Sequence, residues 1–271
     1  YLTEAGIRVT ILERGEIGGE ASGASAGILA AVDESLGPGP LFNLCLASLQ
    51  LHASLADTLR QETGIDVEYV RSGILRVALS DEDADDLRGL VSRRGGWGVM
   101  EWVEPEALRQ LEPRVAAARG GVYSPYLPQV NAHRLTQALA QAVVARGAVL
   151  RQGVAVRGFV TSGSRVRGVR TGEGKLMADQ VLLAAGSWTG VLGRRLGVTL
   201  PVKPMRGQIL AFPDFSSPLR HILLGKDGGY LAPKANGFLF VGATVDDVGD
   251  MIHAHPTLSE ALKQAAKRLA Q

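Results

Sequence analysis

Apolar positions in this chain follow two periods, and the switch between them sets the expected elements. Residues 7–12, IRVTIL, form a short continuous apolar run of the kind a buried parallel strand carries, closing on Glu13. The six residues before it read as the last turn of a helix with Gly6 as its C-terminal cap. Over 43–62, Leu44, Leu51, Leu55 and Leu59 recur near helical spacing, predicting an amphipathic helix stopped by Gly64. Residues 66–79 read as two short strands around Ser72-Gly73. Residues 81–94 read as a helix with Leu87, Leu90 and Val91 on one face and Asp81, Glu82 and Asp83 in the first turn, where carboxylates favour the helix dipole. A short helix starts at Pro105 and ends before Pro113. The clearest helix is 134–146, where Leu135, Ala138, Leu139, Ala142 and Val143 share a face and Gly147 caps the end. Strands are expected at 148–150, 153–160, 165–171, 181–184, 207–212, 228–233 and 238–242. A final helix begins at Thr257, with Glu260 completing a capping box.

The β/α alternation at both ends argues for a doubly wound sheet. The strand-rich stretches 97–126 and 201–245 argue for a second, mostly antiparallel layer. No repeat or low-complexity linker separates them, and 271 residues suffice for two interleaved domains. The expected fold class is α/β: a Rossmann-like domain from 1–80 and 127–200, interleaved with an α+β domain from 81–126 and 201–271.

Composition narrows the function classes. Lys and Arg number 29 against 27 Asp and Glu, with no long basic run. The pairs Arg93-Arg94 and Arg194-Arg195 read as solvated helix ends, and a nucleic-acid partner is not expected. No apolar run is long enough to span a bilayer. A single cysteine, Cys45, excludes an internal disulfide and favours a reducing, cytoplasmic compartment; among apolar neighbours it reads as a buried structural thiol. Of the five histidines, His253 and His255 form an H-x-H pair before Pro256 without further ligands at metal spacing, so no metal site is expected.

Candidate chemistry starts at Glu13. A buried strand closing on an acidic residue is the second strand of a dinucleotide-binding unit, whose carboxylate accepts from the adenosine ribose and repels a 2′-phosphate; a solvated strand end reads equally well. The small residues Ala21–Gly27 allow a ligand to approach backbone closely and present N–H and hydroxyl donors to phosphate, or form a plain surface loop. In VLLAAGSWTG, an apolar strand runs into Ala184, Ala185 and Gly186, with Trp188 either covering a ligand or packing under the next helix.

These residues carry a resemblance. VTILERGEIGGEASGASAGIL, QVNAHRLTQAL, VLLAAGSWTG and GYLAPKANGFLFVGAT, in that order, resemble landmarks of the D-amino-acid oxidase superfamily of FAD enzymes. Within it the pattern is nearest to the glycine-oxidising members that serve thiamine biosynthesis. The resemblance implies FAD as cofactor. Glu13 and Arg14 would lie at the adenosine ribose, and Ala21 and Ser22 at the pyrophosphate. Ala26, Gly27 and Ile28 would line the path to the flavin, Val156 would meet the adenine, and Ala184, Ala185, Gly186 and Trp188 would pack beside the cofactor. Tyr230 would reach the substrate carboxylate; its plain alternative is a sheet tyrosine with a wet hydroxyl. Val245 takes a pocket position held by methionine in some glycine oxidases, which loosens the substrate assignment. Arg206, near the pocket in this scheme, also reads as an exposed strand-start arginine.

The implied reaction is oxidation of a small amine or amino acid, such as glycine, sarcosine or a D-amino acid, to an imine and then a 2-oxo acid, with ammonia and hydrogen peroxide released. The partners are that substrate and O2; a homo-oligomer is left open. Rival readings are a dehydrogenase passing electrons to a carrier, a noncatalytic FAD-binding subunit of a larger oxidase, and an NAD-dependent dehydrogenase, which would need a general acid/base not seen here. Only twelve residues precede Glu13, whereas the glycine-rich turn of a dinucleotide fold comes about twenty residues before its acidic residue. The expectation is therefore an internal piece of a longer oxidase, inactive by itself, with that turn and a substrate-binding arginine outside the sequence.

Overall fold

The computed structural model describes residues 1–30, 39–94, 100–115, 118–202, 204, 207–213, 219–225 and 228–243. In chain order these form β1 (Thr10–Leu12), α1 (Ala21–Ala24), α2 (Pro40–Thr63), β2 (Ile74–Ala78), α3 (Asp81–Arg94), β3 (Glu101–Val103), α4 (Pro105–Leu111) and β4 (Gly120–Ser124). There follow α5 (Ala132–Ala145), β5 (Val149–Arg151), β6 (Gly158–Ser162), β7 (Arg165–Thr171), β8 (Gly174–Met177), α6 (Thr189–Arg194), β9 (Gln208–Phe212), β10 (Ile222–Leu224), β11 (Tyr230–Pro233) and β12 (Leu239–Ala243). The expected helix from Thr257, the His253/His255 pair, Val245 and Arg206 lie outside the described residues.

Two compact units are each assembled from separated segments. One comprises Tyr1–Ser25, Leu59–Ile65 and His133–Arg206; the other comprises Ala26–Thr58, Asp66–Ala132 and Gly207–Gln271. Interleaving was expected, but these boundaries differ from the ones drawn on sequence, because 26–58, 66–80 and 127–132 go with 81–126. The reason is hydrogen bonding. β2 lies inside the large sheet between β4 and β10, and residues 27–29 are bonded to 128–130 within the same unit.

In the first unit β1 and β5 pair in parallel, Thr10 opposite Val149 and Leu12 opposite Arg151. The turn before β1 is a Schellman motif: Ile7 N–H donates to Leu2 O and Gly6 N–H to Thr3 O, with Gly6 at φ +74°. The same closure ends α5, where Ala148 N–H donates to Val143 O around Gly147. α5 buries Ala138 and Ala142, but Leu139 from the expected face is exposed. Arg146 ties the unit together through Glu62 and Glu4. A separate antiparallel sheet runs β6-β7-β8. Two expected strands fall short. Residues 153–157 leave the ladder, and β6 starts only at Gly158. Residues 181–184 pair with no strand among the described residues, leaving Leu182 79% exposed.

The second unit is built on a seven-stranded sheet, β3-β4-β2-β10-β11-β12-β9, antiparallel except for the β2–β10 pair. Alternation along its strands gives it two apolar faces. Leu75, Val77, Leu223, Leu231 and Val241 point to the side that carries Leu108 of α4 and Val115. Ile74, Ile222 and Ala232 point to the other, against Phe42, Leu46 and Leu49 of α2 and Leu87, Leu90 and Val91 of α3. This corrects the expected face of α2 in part: Leu59 is buried and Leu55 half-buried as expected, but Leu44 and Leu51 prove exposed, and Phe42, Leu46 and Leu49 face the sheet at i, i+4, i+7 spacing. Cys45 is only half-buried on the same helix. α3 begins with a reciprocal cap, Asp83 N–H donating to Ser80 Oγ and Ser80 N–H to Asp83 Oδ2, each at 3.1 Å.

Candidate functional site

In the first unit Glu13 and Arg14 follow the carboxyl end of β1, and Trp188 lies against Arg14. Glu13 continues the parallel ladder, its N–H donating to Arg151 O and its carbonyl accepting from Val154 N–H, each at 2.9 Å. Its side chain turns back onto the loop, Oε1 accepting from Gly15 N–H at 2.8 Å. That bond fixes the carboxylate at the strand end. Arg14 is exposed, paired with Glu20 at 2.5 Å, and its guanidinium carbon lies 3.7 Å from the Trp188 ring centroid. The two residues come from opposite ends of the unit's sequence. Trp188 is the N-cap of α6, and the Arg14 cation lies over its indole ring.

The loop after Arg14 folds tightly enough to need glycine. A Cβ on Gly23 would stand 1.8 Å from Gly18 O and 3.0 Å from His133 Nδ1. This packing presents Ala21 and Ser22 on an exposed helical turn whose N-cap, Glu20, supplies no side-chain cap. Val156 lies between two anchored points, Val154 bonded to Glu13 and Arg157 N–H bonded to Arg170 O at 2.7 Å. Its own N–H and C=O make no protein hydrogen bond among the described residues. Ala184 and Gly186 are exposed. Gly186 opens a 3₁₀ turn at φ +50° with nothing within 4 Å of where a Cβ would stand.

In the second unit, residues 26–29 are bound to the segment 127–130. Gly27 O accepts from Val130 N–H at 2.9 Å, Leu29 N–H donates to Pro128 O at 3.0 Å, and Ile28 bridges Gln129. Gly27 stands at φ +73°, and a Cβ there would be 2.1 Å from Val130 O. Beneath this segment lies Lys234, a residue the sequence reading passed over. Its ammonium donates to Ala26 O at 2.9 Å, Gln129 Oε1 at 2.8 Å and Val130 O at 3.0 Å, one acceptor for each N–H. Gln129 in turn donates to Pro233 O at 2.8 Å and Ser72 Oγ at 3.3 Å. Burial pulls Lys234 down to about 8, opposed by the charge of Glu68. The available signal was a lysine directly after an apolar strand, in LAPK; nothing in spacing told a snorkelling lysine from a buried one.

Tyr230 opens β11, opposite Gly242 of β12 and Leu224 of β10. It is half-buried on the α2 face of the sheet, and burial pushes its phenol above the ordinary tyrosine value of 10.0. At neutral pH it is a protonated donor, suited to an anionic acceptor. Elsewhere in this unit Glu112, 1% exposed, caps β10 from α4, its Oε2 accepting from Arg220 N–H at 2.8 Å and His221 N–H at 3.4 Å. Among the described residues no helix is long and apolar enough to cross a membrane, and no group of three or more His, Cys, Asp or Glu could hold a metal.

The first unit's donor set fits an adenine dinucleotide. It offers an anchored strand-end carboxylate, an uncapped turn of small residues, a backbone segment with unused donor and acceptor, and an open left-handed glycine beside an indole. A parallel unit with these groups, interleaved in sequence with a mostly antiparallel sheet unit, is a mixed α/β chain of the dinucleotide-binding class. The chain belongs to the FAD dependent oxidoreductase family, which it matches over residues 1–271. It is 36% identical over 240 residues to a glycine oxidase of Geobacillus kaustophilus, covering 88% of this chain and 63% of that protein. It is 31% identical over 274 residues to the bifunctional protein ThiO/ThiG of Synechocystis, covering 99% of this chain and 39% of that one. The crystal structure of the G. kaustophilus glycine oxidase superposes with a TM-score of 0.84 at 35% identity, covering 90% of this chain and 66% of that one. This chain thus spans under two thirds of the length of these relatives.

Proposed function

We propose that the whole protein is an FAD-dependent oxidase of a small amine or amino acid, with glycine first in line and sarcosine and small D-amino acids next. The observation that carries this reading is Tyr230: a half-buried, protonated phenol on an apolar sheet face, in a chain similar to glycine oxidases along most of its length. In this reading the first unit holds the cofactor. Glu13 and Arg14 take the ribose, Ala21 and Ser22 the pyrophosphate, Val156 the adenine edge, and Ala184, Ala185, Gly186 and Trp188 flank the rest. By the same resemblance Ala26, Gly27 and Ile28 are assigned to the path towards the flavin, and Tyr230 and Val245 to the substrate pocket. When bound, FAD supplies a hydride acceptor that oxygen reoxidises, giving hydrogen peroxide.

The chain's own residues orient. The Tyr230 hydroxyl donates to the substrate carboxylate and so fixes which Cα–H is presented. Lys234 and Gln129 hold the backbone of 26–28 against relaxation. The oxidation product, an imine, is hydrolysed by water to the 2-oxo acid and ammonia, or to the 2-oxo acid and methylamine where the substrate is sarcosine. The single cysteine is in keeping with a cytoplasmic enzyme. The test is a visible spectrum of the full-length protein before and after anaerobic addition of glycine, sarcosine or D-alanine. Bleaching by one of them identifies the substrate, and oxygen uptake on re-aeration marks an oxidase. A flavin that none of them bleaches removes the amino-acid reading, and failure to take up FAD removes the cofactor assignment as well.

A further inference from the structure

Gly242 is the fourth of the five residues of β12, a strand paired on both sides, and stands opposite Tyr230 of β11 and Ile209 of β9. Glycine weakens a strand at such a position, offering no side chain to pack and the largest entropy loss. Its backbone gives no reason for the choice, since Gly242 is absent from the glycines with positive φ. The reason is a neighbour. A Cβ built on Gly242 would stand 2.4 Å from Tyr230 Cζ, 2.5 Å from Oη and 2.8 Å from Cε1, and these are its three nearest atoms. The hydroxyl end of the ring therefore lies across the partner strand, in the volume any side chain at 242 would fill. Cross-strand aromatic cover of a glycine is a known stabilising pair; here the covering atoms include the donor oxygen itself.

We infer that Gly242 is a positioning residue: the missing side chain sets where the Tyr230 hydroxyl points, and hence where a substrate carboxylate is held. The inference rests on the reading of Tyr230 as carboxylate donor. A methyl group at 242 meets the tip of a side chain that can rotate, not fixed backbone. Gly242→Ala should therefore displace the ring and leave the sheet formed.

The experiment uses the full-length holoenzyme and four proteins: wild type, Tyr230→Phe, Gly242→Ala and the double variant. Losing a hydrogen bond to a charged group is worth roughly 10–100-fold, so each single variant should raise KM for the amino acid about tenfold or more. The double variant should be no worse than either. Multiplying effects would mean that Gly242 acts through something other than the tyrosine, which overturns the inference.

A second readout needs no substrate. The ultraviolet tyrosinate titration of wild type minus that of Tyr230→Phe isolates Tyr230, whose midpoint burial raises. The same difference in the Gly242→Ala background should fall towards the exposed value of 10.0. An unchanged midpoint overturns the inference. If the midpoint falls while Tyr230→Phe leaves KM alone, the seat stands and the carboxylate reading fails instead. Should Gly242→Ala not fold, Gly242→Ala in a Tyr230→Ala background decides the matter. With the ring gone it should match the melting temperature of Tyr230→Ala, and failure to fold there overturns the inference.

Discussion

The guanidinium of Arg14 lies 3.7 Å from the centre of the Trp188 ring, joining the loop after β1 to the N-cap of α6 within one unit. Both residues were chosen from the sequence for contact with one cofactor, on the strength of separate motifs. An exposed cation–π pair is worth about 0.5–1 kcal/mol. Arg14→Ala and Trp188→Ala should each weaken FAD binding by roughly two- to fivefold, and the double variant should lose less than the product. Fluorescence titration of the full-length apoprotein with FAD measures all three.

Gly27 and Gly64 allow a clean comparison. They have nearly equal dihedrals, φ +73° and +72°, but a Cβ at Gly64 meets nothing within 4 Å while one at Gly27 would be 2.1 Å from Val130 O. Gly64→Ala should cost about 1–2 kcal/mol, the left-handed penalty alone. Gly27→Ala should cost that plus about 1–3 kcal/mol for displaced backbone. Denaturation midpoints of the two variants give the difference; equal losses would show that the 127–130 segment yields freely.

Lys234 makes stability depend on alkaline pH. Its folded value of about 8 lies below the ordinary lysine value of 10.5, so between the two the unfolded chain binds the extra proton. Stability attributable to this residue therefore rises with pH across that window and is flat below it. Compared with Lys234→Met, the wild type should gain in urea midpoint from pH 8 to about 10.4. A constant gap between the two curves would mean that the three acceptors hold the ammonium charged throughout.

Glu112 is the acceptor for two backbone N–H groups at the start of β10. Glu112→Ala leaves these part-buried groups without that acceptor and should cost about 1 kcal/mol or somewhat more. Glu112→Gln retains one acceptor oxygen and should lose clearly less. Thermal melts of the pair check this; equal losses would point to the charge, not the acceptor, as what matters.

How much of this was legible beforehand varied with the physics involved. α3 was placed over 81–94, and α4 starts at Pro105, because charge, proline and apolar period agree there. β7 was placed at 165–171, where it lies. The face of α2 was misread at Leu44 and Leu51, which are exposed, because this 24-residue helix does not carry one continuous apolar stripe. Residues 181–184 have a strand's composition, but a strand is a pairing, and no described strand lies beside them. Unit boundaries were blurred for a related reason: hydrogen-bond partners of β2 arrive from distant sequence. Motifs pointed to Glu13, Trp188 and Tyr230, whereas Lys234, Gln129 and Gly242 do their work through neighbours that only the folded chain brings near.

The large sheet holds one more consequence, in the order of its strands. β3, β4 and β2 come from one stretch of chain and β10, β11, β12 and β9 from another, and a single parallel ladder of three residue pairs, Ile74–Arg76 against Ile222–Leu224, joins them. On the ribosome, at about 5–20 residues per second, the inner edge of β2 must wait on the order of ten seconds for its partner to be made. Throughout that time an apolar strand shows unpaired N–H and C=O groups, the kind of edge that recruits other chains. Closing that seam is a long-range step, slow by topology. Expression at lower temperature, or with a chaperone that shields strand edges, should therefore raise the yield of native protein more than any change that strengthens the finished fold.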